Sequence, residues 1–214
     1  MRNKLTVTAL AAAVALSGCT NMTQTEQDTL GGAALGAIAG AAIGSASGNA
    51  GHGAIIGAVV GGTAGHIWSS RMEEQRIAMQ RATHGTGVQV TQTADNRLKL
   101  YIPSDVSFQT GRADISPRFA RILDRFAMSL NYNPGTFVTI IGHTDSSGSD
   151  SVNLPLSRDR AFSVRNYLVS RGVDPNRFAV EGRGSYEPLV SNATPRGRAR
   201  NRRVEIFVAE PARQ

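Results

Sequence analysis

The chain has 214 residues, 41% of them hydrophobic and 6% aromatic, one cysteine, and 23 Lys and Arg against 16 Asp and Glu for a formal charge of +7. That length holds one ordinary domain plus accessory segments, while a lone cysteine excludes an internal disulfide framework and leaves no Cys/His cluster for structural zinc. The positive excess suits nucleic acid or a polyanionic envelope surface, and nucleic acid is set aside because no recognition motif accompanies the arginines between Arg196 and Arg203 and the chain opens on an export signal.

Residues 1–18 read as that signal. Arg2 and Lys4 give a positive start, and the apolar run over 5–16 is too short to span a membrane comfortably. Leu16-Ser17-Gly18-Cys19 follows directly and resembles a bacterial lipobox, which implies cleavage before Cys19 and acylation of its thiol. Several acyl chains hold a protein stably to a bilayer where one does not. By the same resemblance, Thr20 in place of Asp after the cysteine implies sorting to the outer membrane. Residues 19–29 form a polar tether.

Residues 30–68 are a compositional island. Gly32, Gly36, Gly40, Gly44 and Gly48 recur every four residues, and Gly53, Gly57, Gly61 and Gly65 repeat the pattern after a polar break at 45–52. Such spacing stacks glycines on one helix face. In water each glycine weakens a helix by about 1 kcal/mol relative to Ala. In a bilayer, small residues instead let helix backbones approach closely. The segment reads as a membrane-associated glycine-zipper hairpin, with arms near 30–44 and 53–68 and Trp68 at the interface. Each arm of ~15 residues spans ~22 Å, short for a ~30 Å core, so partial insertion or homo-oligomerisation would be needed. A flexible Gly/Ala spacer is the alternative. Residues 69–86 form a connector, with a solvated helix over 69–83.

From 87 to 210 the pattern is that of a folded domain. Residues 88–93 and 97–102 read as strands around a turn at Ala94-Asp95-Asn96, and 106–109 as a short extended piece. Ser116 caps a helix with Pro117 at its first position, and Phe119, Ile122, Leu123, Phe126 and Leu130 share one face. Asn133-Pro134-Gly135 stops it, and 136–141 is apolar on both faces, as a central strand should be. After a loop at 145–152, residues 157–170 read as a second helix ended by Gly172. Residues 178–182 form a strand, and Val204, Ile206 and Val208 alternate in the last one. The order ββ-α-β-α-β-β gives an α+β fold, a two-layer sandwich of helices on a sheet.

A strand ending near His143 and feeding a helix near Ser157 brings its C-terminal end close to the helix N-terminus. Asp145 lies just past the strand, and Arg160 falls in the first turn of the expected helix. Free N–H groups at that start and the planar fork of Arg160 suit a carboxylate, while Asp145 suits an ammonium. The couple fits a zwitterion. Direct pairing of Asp145 with Arg160 in an empty site is equally allowed.

Three blocks carry a resemblance: Ile141-Gly142-His143-Thr144-Asp145, then Asn153-Leu154-Pro155-Leu156-Ser157-Arg158-Asp159-Arg160-Ala161, then Asn201-Arg202-Arg203-Val204-Glu205. In order and spacing they resemble the signature blocks of OmpA-like C-terminal domains. With lipobox and zipper, the whole chain is similar to YiaD-type outer-membrane lipoproteins. The resemblance implies an outer-membrane lipoprotein with a periplasmic domain on a mixed sheet, binding peptidoglycan non-covalently through stem-peptide diaminopimelate. Asp145 would take the ammonium and Arg160 the carboxylate, with contributions from the backbone near Leu156 and from the Thr110-Gly111 loop. That loop reads Phe108-Gln109-Thr110-Gly111 where many relatives have an Asp. Asn153 would order the loop. Of Arg202 and Arg203, one would line the site, or both would hold the last strand against acidic neighbours.

His143, Asp145 and the serines at 146 and 147 invite an enzymatic reading, but a triad needs a base oriented by a third group at a distance. No nucleophile elbow is present, and His143 with Asp145 is too small a set for a metal. No catalysis, metal or cofactor is therefore expected. The rival is a regulatory envelope lipoprotein coupling wall binding to an inner-membrane partner through the connector.

Overall fold

The computed structural model describes residues 66–210. The signal, tether, Cys19 and the zipper as far as Gly65 lie outside the described residues.

Chain order begins with helix α1 (Ser70–Thr83), strands β1 (Gln89–Gln92) and β2 (Leu98–Pro103), the single helical turn α2 (Ser104–Ser107), and helix α3 (Pro117–Tyr132). Strand β3 (Phe137–His143), helix α4 (Asp150–Ser170), a 3-10 turn at Pro175–Arg177 and strand β4 (Phe178–Gly182) follow, then helix α5 (Pro195–Asn201) and strand β5 (Arg203–Ala209). The sheet is five-stranded in the order β1-β2-β5-β3-β4. Only β3 and β4 run parallel, as the α4 crossover requires; the other neighbours are antiparallel. This is the expected α+β sandwich on a mixed sheet.

Alternation along the strands decides which sheet face is covered. Leu98, Val208, Val138 and Phe178 lie in register, as do Leu100, Ile206, Ile140 and Val180. These rows join Phe119, Leu123, Phe126 and Leu130 of α3 and Ala161, Val164 and Leu168 of α4 in one core. The next row on that face is Ile102, Val204, Gly142 and Gly182. Here α4 comes close: a Cβ on Gly142 would stand 2.0 Å from the Ser157 carbonyl oxygen, and one on Gly182 2.5 Å from the Arg158 nitrogen. The two glycines seat α4 on the sheet and fix where its side chains emerge. Ser157 locks the seat, donating to the Leu154 carbonyl at 2.8 Å and accepting the Gly184 N–H at 3.0 Å.

Several expectations need correction. The second helix starts at Asp150, not Ser157, so Pro155 lies inside it. A proline near a helix start removes one hydrogen bond without ending the helix when tertiary seating is strong. Residues 104–107 form a helical turn closed by the Phe108 N–H on the Ser104 carbonyl at 2.8 Å, where 106–109 reads as extended. Helix α1 is not a solvated connector. Met72, Gln75, Met79 and Thr83 form a buried stripe against β1 and α3. Two of those four positions are polar, so apolar periodicity was too weak to reveal the stripe. Trp68 also packs against the domain core, its indole N–H donating to Glu73 at 3.2 Å, rather than standing free for a membrane interface. Among the described residues, no helix is long and apolar enough to cross a membrane.

Candidate ligand-binding site at the sheet edge

The chain leaves β3 at His143, and the Thr144 N–H is held by the Gly184 carbonyl at 2.8 Å. Asp145 then turns back on itself: its Oδ1 accepts the Ser147 N–H at 2.7 Å, an Asx-type turn. Asn153, on α4, donates its side-chain amide to the carbonyls of Asp145 (3.4 Å) and Ser147 (3.1 Å), tying the loop to the helix. Gly148 supplies the positive φ (86°) that closes the loop.

Arg160 is 3% exposed. It lies ten residues after the first residue of α4, about 15 Å along the axis, so the free N–H groups of the helix start do not converge with its guanidinium. Its environment comes from elsewhere. Nε donates to the Arg112 carbonyl at 3.0 Å, one terminal nitrogen reaches Ser104 Oγ at 3.5 Å, and the guanidinium stands 5.3 Å from the Phe108 ring centroid. The exposed Thr110 and Gly111 thus lie in the loop whose next residue touches Arg160. Leu156, half-buried, lies one helical turn before Arg160 on the same side of α4.

Asp145 does not pair with Arg160. Its Oδ2 accepts from Arg202 at 2.8 Å, and the other terminal nitrogen of Arg202 reaches both oxygens of Asp105 at 3.1 and 3.2 Å. Asp105, the second residue of α2, was not foreseen. The signal for it lies in register: β2 and β5 pair through Pro103 and Arg203, and the Ser104 N–H donates to the Arg202 carbonyl at 3.0 Å. Spacing along the chain cannot reveal that neighbour. Arg203 turns to the other side of the strand. It is 2% exposed and donates to Glu205 at 2.7 Å and to the carbonyls of Asn201 and Glu187. Of the two adjacent arginines, Arg202 joins the cluster and Arg203 braces the sheet.

The charges of Asp105, Asp145, Arg160 and Arg202 act on one another. Burial pushes the Asp145 carboxyl up, but hydrogen bonds from Arg202 and Ser147 outweigh it and hold the group below its ordinary value. Burial lowers the Arg160 guanidinium, and the positive charge of Arg202 lowers it further against the pull of Asp105 and Asp145. At neutral pH the site therefore presents a carboxylate and a guanidinium in close company, as a zwitterion requires. His143 is 1% exposed and faces Arg203 and Glu205, and its pKa is pushed down to about 3 by burial and by the charge of Arg203. Its two ring nitrogens have no hydrogen-bond partner among the described residues. Among the described residues no group of His, Cys, Asp and Glu is arranged to hold a metal ion.

Residues 107–202 match the OmpA family, and residues 1–73 match the YMGG-like Gly-zipper. The chain is 41% identical over 138 residues to the probable lipoprotein YiaD of Escherichia coli, covering 64% of this chain and 63% of that protein. It is 48% identical over 103 residues to the peptidoglycan-binding protein ArfA of Mycobacterium tuberculosis, covering 48% of this chain and 32% of that one. The chain thus spans less than two thirds of the length of these curated relatives. The solved structure of the cell wall anchor of the T6SS from Pseudomonas aeruginosa matches at 33% identity and a TM-score of 0.56, over 63% of this chain and 99% of that one.

Proposed function

We propose, on the match of residues 107–202 to the OmpA family, that the domain binds peptidoglycan without cutting it, gripping the zwitterionic end of a stem-peptide diaminopimelate. Asp145 receives the ammonium and Arg160 the carboxylate. Asn153 holds the Asp145 loop, and the Thr110-Gly111 loop and the turn at Leu156 border the guanidinium. Acylated Cys19 anchors the chain in the outer membrane with the domain in the periplasm, aided by the zipper.

One observation carries this reading. Arg160 is 3% exposed yet makes two hydrogen bonds to the described residues, one of them 3.5 Å long. A guanidinium offers five donors, and those of Arg160 beyond Nε and one terminal nitrogen have no partner among the described residues. A ligand carboxylate would engage them as a fork. ArfA is a peptidoglycan-binding protein and the T6SS protein a cell wall anchor, which supports the same reading here. A regulator signalling through a free connector is the weaker reading, because α1 is packed on the domain.

The test is co-sedimentation of the full-length chain with purified sacculi. Wild type should pellet and leave the polymer intact, and Asp145→Asn should fall to background. Release of soluble fragments by wild type would overturn the non-catalytic reading, and undiminished pelleting of Asp145→Asn would overturn the site. Cys19→Ser should shift the protein from membrane to soluble fractions.

A further inference from the structure

Arg202 stands between two carboxylates that differ in kind. Asp145 has a side chain 9% exposed, Asp105 one 60% exposed, and Arg202 itself is 31% exposed. The guanidinium is therefore at the mouth of the site, with Asp145 behind it and Asp105 toward solvent. Both oxygens of Asp145 already have a donor, Ser147 N–H at 2.7 Å and Arg202 at 2.8 Å. An ammonium arriving there meets an occupied carboxylate. Arg202, however, has a second acceptor in reach. Only one of its terminal nitrogens is on Asp105, bridging the two oxygens at 3.1 and 3.2 Å. Turning both terminal nitrogens onto Asp105 would make a two-point pair, the geometry a guanidinium and a carboxylate prefer.

We propose that Arg202 is an exchangeable internal partner of Asp145, standing in for the ligand's ammonium, and that Asp105 is the positioning residue that takes Arg202 over when the ligand enters. This rests on Asp145 being the ammonium site. It also gives selectivity. The cluster holds two carboxylates, Asp105 and Asp145, and two guanidiniums, Arg160 and Arg202. A zwitterion adds one charge of each sign, and every group then has a partner: ammonium on Asp145, Arg202 on Asp105, ligand carboxylate on Arg160. A simple amine displaces Arg202 but leaves Arg160 without its anion. A simple carboxylate reaches Arg160 but leaves Asp145 still held by Arg202.

The experiment titrates the full-length chain in detergent micelles with meso-diaminopimelate, followed by amide chemical shifts. Asp105→Asn should weaken binding by up to about fivefold, the most that an exposed ion pair supplies. Asp105→Glu should stay within about twofold of wild type, which a merely structural role for the carbon skeleton would not explain. Adding Arg202→Gln to Asp105→Asn should restore wild-type affinity or better, because nothing then competes for Asp145. Wild-type affinity in Asp105→Asn overturns the proposal, as does a double variant no tighter than the single one, which would make Arg202 a direct ligand. Asp145→Asn binding as tightly as wild type, or no saturable response from wild type, would instead remove the ammonium site on which the proposal stands.

Discussion

Arg177, where the 3-10 turn meets β4, is 7% exposed, and Arg160, at the opposite end of the sheet, is 3% exposed. Burial lowers the pKa of both. Their surroundings differ. Arg177 donates to the carbonyls of Thr136, Leu130 and Asn133 and to the Thr136 hydroxyl, all between 2.7 and 2.9 Å. It closes the corner between α3 and β3, satisfying carbonyls that the end of α3 and the turn would otherwise bury unpaired. Arg160 has a backbone carbonyl, a distant hydroxyl and an aromatic face, with a second guanidinium nearby. A buried arginine with its hydrogen bonds complete is part of the fold. One with donors unused, in a fold that could have placed an apolar residue there, is held for something else.

That contrast can be broken by substituting each with methionine, which keeps the apolar stem and removes the fork. Arg177→Met should cost about 3 kcal/mol or more, because several buried acceptors lose their donor together. For a domain of this size the melting temperature should fall on the order of 10 °C. Sacculus binding per folded molecule should not change. Arg160→Met should do the reverse, abolishing binding with a small or even favourable change in stability. Thermal unfolding and co-sedimentation of the two variants, side by side, give the answer. Equal loss of stability in both would mean that Arg160 is as structural as Arg177.

Much of the Arg160 end was legible in the sequence, and little of the Arg177 end. The expected cap at Ser116, the apolar face of α3, strand β4 and the core positions Val204, Ile206 and Val208 of β5 are all observed, because each follows from local pattern. Asp145, Asn153 and Arg160 stand in the signature blocks, with Arg202 left open between the site and the strand; hydrogen bonds join Asp145 to Asn153 and to Arg202. What escaped depends on three-dimensional neighbours. Asp105 meets Arg202 across the β2–β5 register, 97 positions apart in the chain. Arg177 reaches carbonyls more than 40 positions away. Helix α4 starts at Asp150, before the expected Ser157, where Gly142 and Gly182 let the sheet seat a helix that runs through Pro155.

His143 is a third buried group that can carry a positive charge, and it sharpens the comparison by remaining neutral. Burial, then Arg203, Arg183 and Lys99, oppose its protonation, while Glu205 favours it. Its pKa lies near 3 in the folded domain against an ordinary value of 6.5. Between those values the unfolded chain binds a proton that the folded chain does not. The stabilisation from neutral His143 is therefore complete above pH ~6.5 and is lost as pH falls, by about 1.4 kcal/mol per unit from this group alone. Urea denaturation from pH 7 to 4 should show that decline, and His143→Gln should flatten it. An equally steep decline in the variant would assign the acid sensitivity to other groups.

The smallest expected effect is the most discriminating for Arg160. Arg160→Lys keeps the charge and most of the stem but replaces a planar fork with a point charge. It loses the Nε bond to the Arg112 carbonyl, so stability should drop by no more than about 1 kcal/mol. Binding should fall about tenfold, because an ammonium cannot offer two parallel donors to one carboxylate. Measured by co-sedimentation over a range of sacculus concentrations, that result would place the requirement on geometry. If lysine binds as well as arginine, attraction between opposite charges suffices at this position. The unused donors of Arg160 would then no longer distinguish it from any other cation at the sheet edge.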